Sequence, residues 1–164
     1  MRKTLLSLSG LLLTSCLGGD NSGGSPFAPI PDTQILCSST VIGCQTSQIG
    51  SKIYLGYLSQ GLEISCDEFL HEISWQPPLR RHFDALASAT AEAHFQVPGL
   101  YGLFNSWQGP LGQTVFSLER GTYRVCAFID SNDNGRWDIS EPFAQGTVRV
   151  GEELMPEITD WVNF

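Results

Sequence analysis

The sequence predicts an all-β fold, a sandwich of about seven strands. Three observations carry that expectation. Short β-branched and aromatic runs recur between turns rich in Gly and Pro, as in "SKIYLGYLS" at 51–59 and "GTVRVG" at 146–151. Residues 90–99 alternate, with Ala91, Ala93, Phe95 and Val97 set against Thr90, Glu92, His94 and Gln96, the period of a half-buried strand. "TYRVCAFID" at 122–130 is apolar at both parities, the pattern of a central strand covered on both faces.

Taken in order, the chain opens with "MRKTLLSLSGLLLTSC", where Arg2 and Lys3 precede an apolar run from Leu5 to Leu13. That run is too short to span a bilayer as a stable helix. With small residues behind it, residues 1–15 read as a secretory signal peptide and stand outside the fold. "LGGDNSGGSPFAPIPD" at 17–32 has little to bury, so 16–34 reads as a flexible tether and 35–164 as one domain. The strand at 51–59 ends at Gln60-Gly61. "LEISCDEFLHEISW" at 62–75 fits two patterns: Phe69, Leu70 and Ile73 share a helical face, while Ile64 and Cys66 suit a strand. Pro77-Pro78 stops it. "LRRHFDALASA" at 79–89 allows a short helix. The strand at 90–99 closes on Pro98-Gly99, "QTVFSL" at 113–118 makes another, and 122–130 and 146–151 follow. "EITDWVNF" ends the chain with Ile158, Asp160, Val162 and Phe164 on one face.

Leu13-Thr14-Ser15-Cys16 resembles the lipobox of bacterial lipoproteins. The resemblance implies cleavage before Cys16 and acylation of that residue by chains such as palmitate, which makes the lipid bilayer a partner. Each buried CH₂ of such an anchor contributes about 0.8 kcal/mol. Leu17, rather than aspartate, follows the cysteine, which implies sorting to the outer membrane of the bacterial cell envelope. The plainer reading is an ordinary signal peptide cut near Cys16. Without Arg2 and Lys3, seven basic side chains face seventeen acidic ones, a net charge near −10. No stripe of Lys and Arg remains to hold phosphates, so nucleic acid is excluded as a partner. A divalent cation suits that charge.

Four further cysteines, Cys37, Cys44, Cys66 and Cys126, form an even set in an exported chain and imply disulfides, with three pairings open. The short loop between Cys37 and Cys44 favours that pair and leaves Cys66 with Cys126. No C-x₂-C spacing supports a zinc site.

The chemistry concentrates in "FIDSNDNGRWDISEP" at 128–142. Counted from Asp130, oxygen-bearing side chains fall at positions 1 (Asp130), 3 (Asn132), 5 (Asn134), 9 (Asp138) and 12 (Glu141). Gly135 sits at the sharp turn and the Arg136 carbonyl at position 7. Alternate residues of a curled loop point inward, and Ca²⁺ takes six to eight hard oxygens at about 2.3–2.6 Å. Asp133 falls out of phase and is expected in solvent, while Trp137 is expected to pack the loop on the domain. The flanks are strand-like, and Pro142 and Gly146 bar a long exiting helix. The loop therefore closes a strand-to-strand corner and has no helix pair to open as a sensor. The bland alternative is an Asn/Asp/Gly turn without metal.

"FQVPGLYG" followed by "ERGTYRVCAFIDSNDNGRWDISEPFAQGTVRV" resembles transthyretin-like (carboxypeptidase regulatory-type) modules, and equally the calcium-bearing B-type repeats of bacterial adhesins. The likeness covers residues 95–150 and implies an Ig-like or prealbumin-like sandwich. Residues 33–88 carry none of it.

Other motifs carry less. "HEISW" begins like H-E-x-x-H, but Trp75 holds the second ligand position. Ser59 lacks the G-x-S-x-G elbow. His71, His82 and His94 show no ligand spacing. Asp67, Glu68 and Glu72 read as a solvated acidic face, and Trp75, Trp107, Trp137 and Trp161 as packing residues. The expected function is a calcium-stabilised, lipid-anchored binding or structural module, not an enzyme, with an envelope protein or glycan as further partner. The alternatives are an envelope hydrolase built around Glu68, His71 and Glu72, and a carbohydrate-binding module using Trp75 or Trp107.

Overall fold

A computed structural model describes residues 24–63, 65–66, 82–94, 96 and 98–162. The fold is all-β and sandwich-like, as expected. The larger layer holds β3 (Lys52–Leu58), β4 (Phe83–Thr90), β7 (Trp107–Gln108), β8 (Thr114–Val115), β10 (Gly121–Asp130), β11 (Phe143–Val150) and β13 (Asp160–Val162). Their order is β13-β11-β10-β3-β4-β7-β8, and every pair is antiparallel. The smaller layer holds β2 (Thr33–Ser38), β5 (Glu92–Ala93), β6 (Gly99–Phe104) and β12 (Glu157–Ile158) in the order β12-β2-β6-β5, with β12 parallel to β2. A separate ribbon pairs β1 (Phe27–Pro29) with β9 (Ser117–Glu119). These thirteen strands among the described residues exceed the expected seven because edge segments are divided into two- and three-residue pieces, several of which change sheet at a single residue such as Ala91, Phe116 or Thr159.

Side-chain parity explains the core. Ile53, Leu55 and Tyr57 of β3 and Tyr123, Val125, Ala127 and Ile129 of β10 face inward onto Ile35, Cys37, Leu100, Phe104 and Ile158 of the smaller layer. Thr33 and Tyr57 share a buried hydrogen bond of 2.7 Å across the two layers. The opposite parity of β10 is also covered: Cys126 and Phe128 pack with Leu58, Phe83, Leu86, Trp137 and Phe143. β10 is thus buried on both faces, as its sequence predicted. Two disulfides brace the structure, Cys37–Cys44 and Cys66–Cys126, with Cα separations of 5.6 and 5.7 Å.

Four expectations need correction. The helix allowed over 79–89 is β4 from Phe83 onward; Ala85 and Ala87 are buried in the core, and pairing with β3 overrides the helix propensity of an Ala-rich run. Residues 79–81 lie outside the described set. The single strand expected over 90–99 is divided among three: Thr90 ends β4, Glu92–Ala93 form β5 with both residues exposed, and Gly99 begins β6, while Phe95 and Val97 lie outside the described set. There the chain switches layers at Ala91, whose N–H donates to Ser51 O at 2.8 Å and whose carbonyl accepts from Gly50 N at 2.9 Å. The tether expected over 16–34 gives way to sheet at Phe27, because Ala28 and Ile30 have core to bury against. The strand expected over 113–118 is broken at Phe116, so that Thr114–Val115 serves the large sheet and Ser117–Glu119 the ribbon.

β10 also orients the domain. Its ten residues run about 30 Å from Gly121, beside the chain entry at Ser25–Pro26, to Asp130, where the acidic loop begins. At that second pole lie Lys52, Thr90 and Phe143, the partners of β10 and its neighbours.

Candidate metal centre

Asp130 ends β10 at the parity of Cys126 and Phe128, and the chain curls back over the covered outer face before β11. Trp137 holds the loop down: it is buried against the outer cluster, sits edge-on to Phe143 with ring centroids 6.2 Å apart, and donates from Nε1 to the Glu141 carbonyl at 2.8 Å. The expected packing role of Trp137 is met.

The loop is drawn inward by its own N–H groups. Asp130 accepts from Asn134 N at 3.1 Å through Oδ1 and from Gly135 N at 2.8 Å through Oδ2. Glu141 accepts from Ser131 N at 2.6 Å and from Asp138 N at 3.0 Å, one on each carboxylate oxygen. Asp138 Oδ2 accepts from the amide nitrogens of Asn132 at 2.6 Å and Asn134 at 2.8 Å. The Asn132 and Asn134 side-chain oxygens in turn accept from Asn134 N and Arg136 N. Asp133 and Gly135 take φ of 56° and 69°, the left-handed turn on which the curl depends.

Asp130 and Glu141 are 1% and 3% exposed, the buried charged side chains among the described residues. The two described ion pairs, Lys52–Asp133 and Arg149–Glu152, reach neither of them. Lys52 stands beside Asp130 in register and feels its charge, but its direct ion pair is with the exposed Asp133; a buried carboxylate outside any ion pair is costly even when hydrogen-bonded. Burial, opposed by the N–H groups of Asp138 and Ser131 and abetted by the Asp130 and Asp138 charges, holds the Glu141 carboxyl above its ordinary range.

Asp130, Asn132, Asn134, Asp138 and Glu141 are thus joined in one hydrogen-bonded constellation, with Arg136 N tied to Asn134. The donors are hard oxygens throughout, the chemistry a Ca²⁺-sized cation requires. Among the described residues, no three His, Cys, Asp or Glu side chains are grouped so as to hold a metal by themselves. Any site here depends on the neutral Asn132 and Asn134 and on backbone carbonyls as well.

Asp133 points to solvent as expected, yet it meets Lys52 Nζ at 2.8 Å. That contact is a product of register, since Lys52 of β3 pairs with Asp130 of β10 from nearly 80 residues away. Pro142, directly after Glu141, packs against Gly43 of the Cys37–Cys44 loop. Neither partner carries a local sequence signal.

The remaining candidates are dispersed or lie elsewhere. Cys16, Asp67, Glu68, His71, Glu72 and Trp75 lie outside the described residues. Ser59 donates to Asp84 at 2.6 Å. Trp107 is 5% exposed and packs between Tyr57 and Phe104, so its ring offers no face to a sugar. Comparison with protein-family models, curated proteins and solved structures finds no match, so the resemblance to transthyretin-like and adhesin-repeat modules stands on its quoted residues.

Proposed function

We propose that this chain is a calcium-stabilised lipoprotein of the bacterial cell envelope, acting as a binding or structural module anchored through Cys16. The observation that carries the calcium reading is the burial of Asp130 and Glu141 in a loop of all-oxygen donors, neither of them held in an ion pair among the described residues, where the neighbouring Lys52 is bound instead to Asp133. Asp130, Asn132, Asn134, Asp138, Glu141 and the Arg136 carbonyl would hold the ion. It would add positive charge to an acidic strand-to-strand corner where Lys52 is already engaged by Asp133. The anchor reading is carried by the Leu13-Thr14-Ser15-Cys16 sequence behind a basic and apolar leader.

Thermal unfolding in calcium and in chelator tests the first reading. Wild type should melt several degrees higher with calcium. Glu141→Gln should lose most of that difference while its chelated melt stays near the wild-type value or slightly above it. Identical wild-type melts in both buffers would show that the loop is a turn and nothing more.

A further inference from the structure

Exposed apolar side chains stand at both poles, but Ile49 and Ile139 near the acidic loop are aliphatic, whereas the opposite pole exposes two phenylalanines and a leucine. Phe116 is 81% exposed, Leu154 91% and Phe27 49%. They come from three distant segments that the fold brings to one end. Ile30 N donates to Phe116 O at 3.1 Å, while Leu154 borders the same hollow as Ala28, Ile30 and Gly151. Phe27 pairs with Glu119 in the β1–β9 ribbon. A lone exposed leucine means little, but a group of large apolar side chains at one site marks contact with something.

The chain enters the domain at this same pole, and its entry is clamped. Arg120 N donates to Pro26 O at 2.7 Å; the Arg120 guanidinium donates to Ser25 O at 2.9 Å and to Gly151 O at 3.2 Å. Cys16 lies nine residues before Ser25, a stretch that reaches at most about 30 Å when fully extended. An acyl anchor at Cys16 would therefore tether the domain by this end, and since the stretch is about as long as β10, the face that meets the lipid is set by the side chains beside the entry.

We infer that the pole bearing Phe27, Phe116 and Leu154 rests on the lipid surface and holds the 130–141 loop at the far end of the domain. The inference depends on the lipid-anchor reading above. Aromatic and leucine side chains at an interface bury about 5–10 Å into the boundary between headgroups and acyl chains, and the anchor supplies the local concentration. Asp32, Glu119 and Glu152 are exposed around the patch, so the surface it suits is zwitterionic rather than strongly anionic.

The test uses the full acylated chain in phosphatidylcholine vesicles, with and without brominated acyl chains that quench tryptophan. Phe116→Trp and Leu154→Trp report on the patch. Ile139→Trp, 67% exposed in the loop, reports on the far pole. After subtraction of the native tryptophan signal, emission added at 116 and 154 should fall by about half in brominated vesicles, and emission at 139 should not. Protein that floats with the vesicles yet shows no more quenching at 116 and 154 than at 139 overturns the orientation while leaving the anchor intact. Protein that does not float overturns the anchor reading and the orientation together.

Discussion

At Gly99 the fold leaves no room for a side chain. A Cβ there would stand 2.2 Å from the Cys37 carbonyl oxygen and 3.1 Å from Ser38 Cα, both backbone atoms that cannot swing aside. Gly135 is a different case: its φ of 69° disfavours other residues, but a Cβ would meet nothing within 4 Å. Gly99→Ala should therefore cost about 1–3 kcal/mol by forcing β2 and β6 apart. Gly135→Ala should cost about 1 kcal/mol, through backbone strain alone. Urea midpoints of the two variants check the order, and a larger loss at Gly135 would contradict the packing described here. Both glycines are visible in the sequence, yet only the fold distinguishes a steric need from a conformational one.

Between elements, the disulfides do unequal work. Cys66–Cys126 joins positions 60 residues apart and ties β10 to the segment after β3; Cys37–Cys44 closes a separation of seven. In the chain-entropy account the first stabilises by about 4 kcal/mol and the second by about 2 kcal/mol. Replacing Cys66 and Cys126 together with alanine should lower the denaturation midpoint well beyond replacing Cys37 and Cys44, and non-reducing peptide mapping should recover both pairs. An equal effect would show that the entropic term is not the main one. All four of these cysteines are buried, so replacing either pair adds a comparable packing loss and the difference between the pairs reports the loop each one closes.

For the whole molecule, the proposed calcium site sets a measurable scale. Two of its side-chain ligands are neutral amides, which points to a dissociation constant on the order of 10⁻⁴ M, as in extracellular modules. Linkage then gives about 1.4 kcal/mol of stabilisation at about 1 mM free calcium and about 2.7 kcal/mol at about 10 mM. Far-ultraviolet circular dichroism should barely change, because β10 and β11 are paired along eight residue positions whatever occupies the loop. Magnesium should stabilise much less, since it gives up water reluctantly and prefers a tighter octahedral site. The anchor is tested separately: metabolic fatty-acid label should enter wild type and not Cys16→Ser, and equal label in both would refute acylation at that residue.

What the sequence alone determined is whatever depends on local order. Double-sided apolarity marked β10, and short β-branched and aromatic runs between turns marked the all-β class, because both are written in neighbouring residues. The D-x-N-x-N-G spacing likewise announced a loop whose Asp130, Asn132, Asn134, Asp138 and Glu141 would turn toward one another. Spacing and elimination favoured the disulfide pairs that the fold contains. Tertiary structure decided the rest. Ala85 and Ala87 became strand because β3 lay open beside them, and residues 27–29 and 33–34 joined the sheets because a core was there to receive Ala28 and Ile30. The Lys52–Asp133 pair, the Gly43–Pro142 contact and the gathering of Phe27, Phe116 and Leu154 at one pole join residues far apart in sequence. Such contacts depend on strand order and register, which arise from the packing of whole layers and leave no trace in any short stretch of chain.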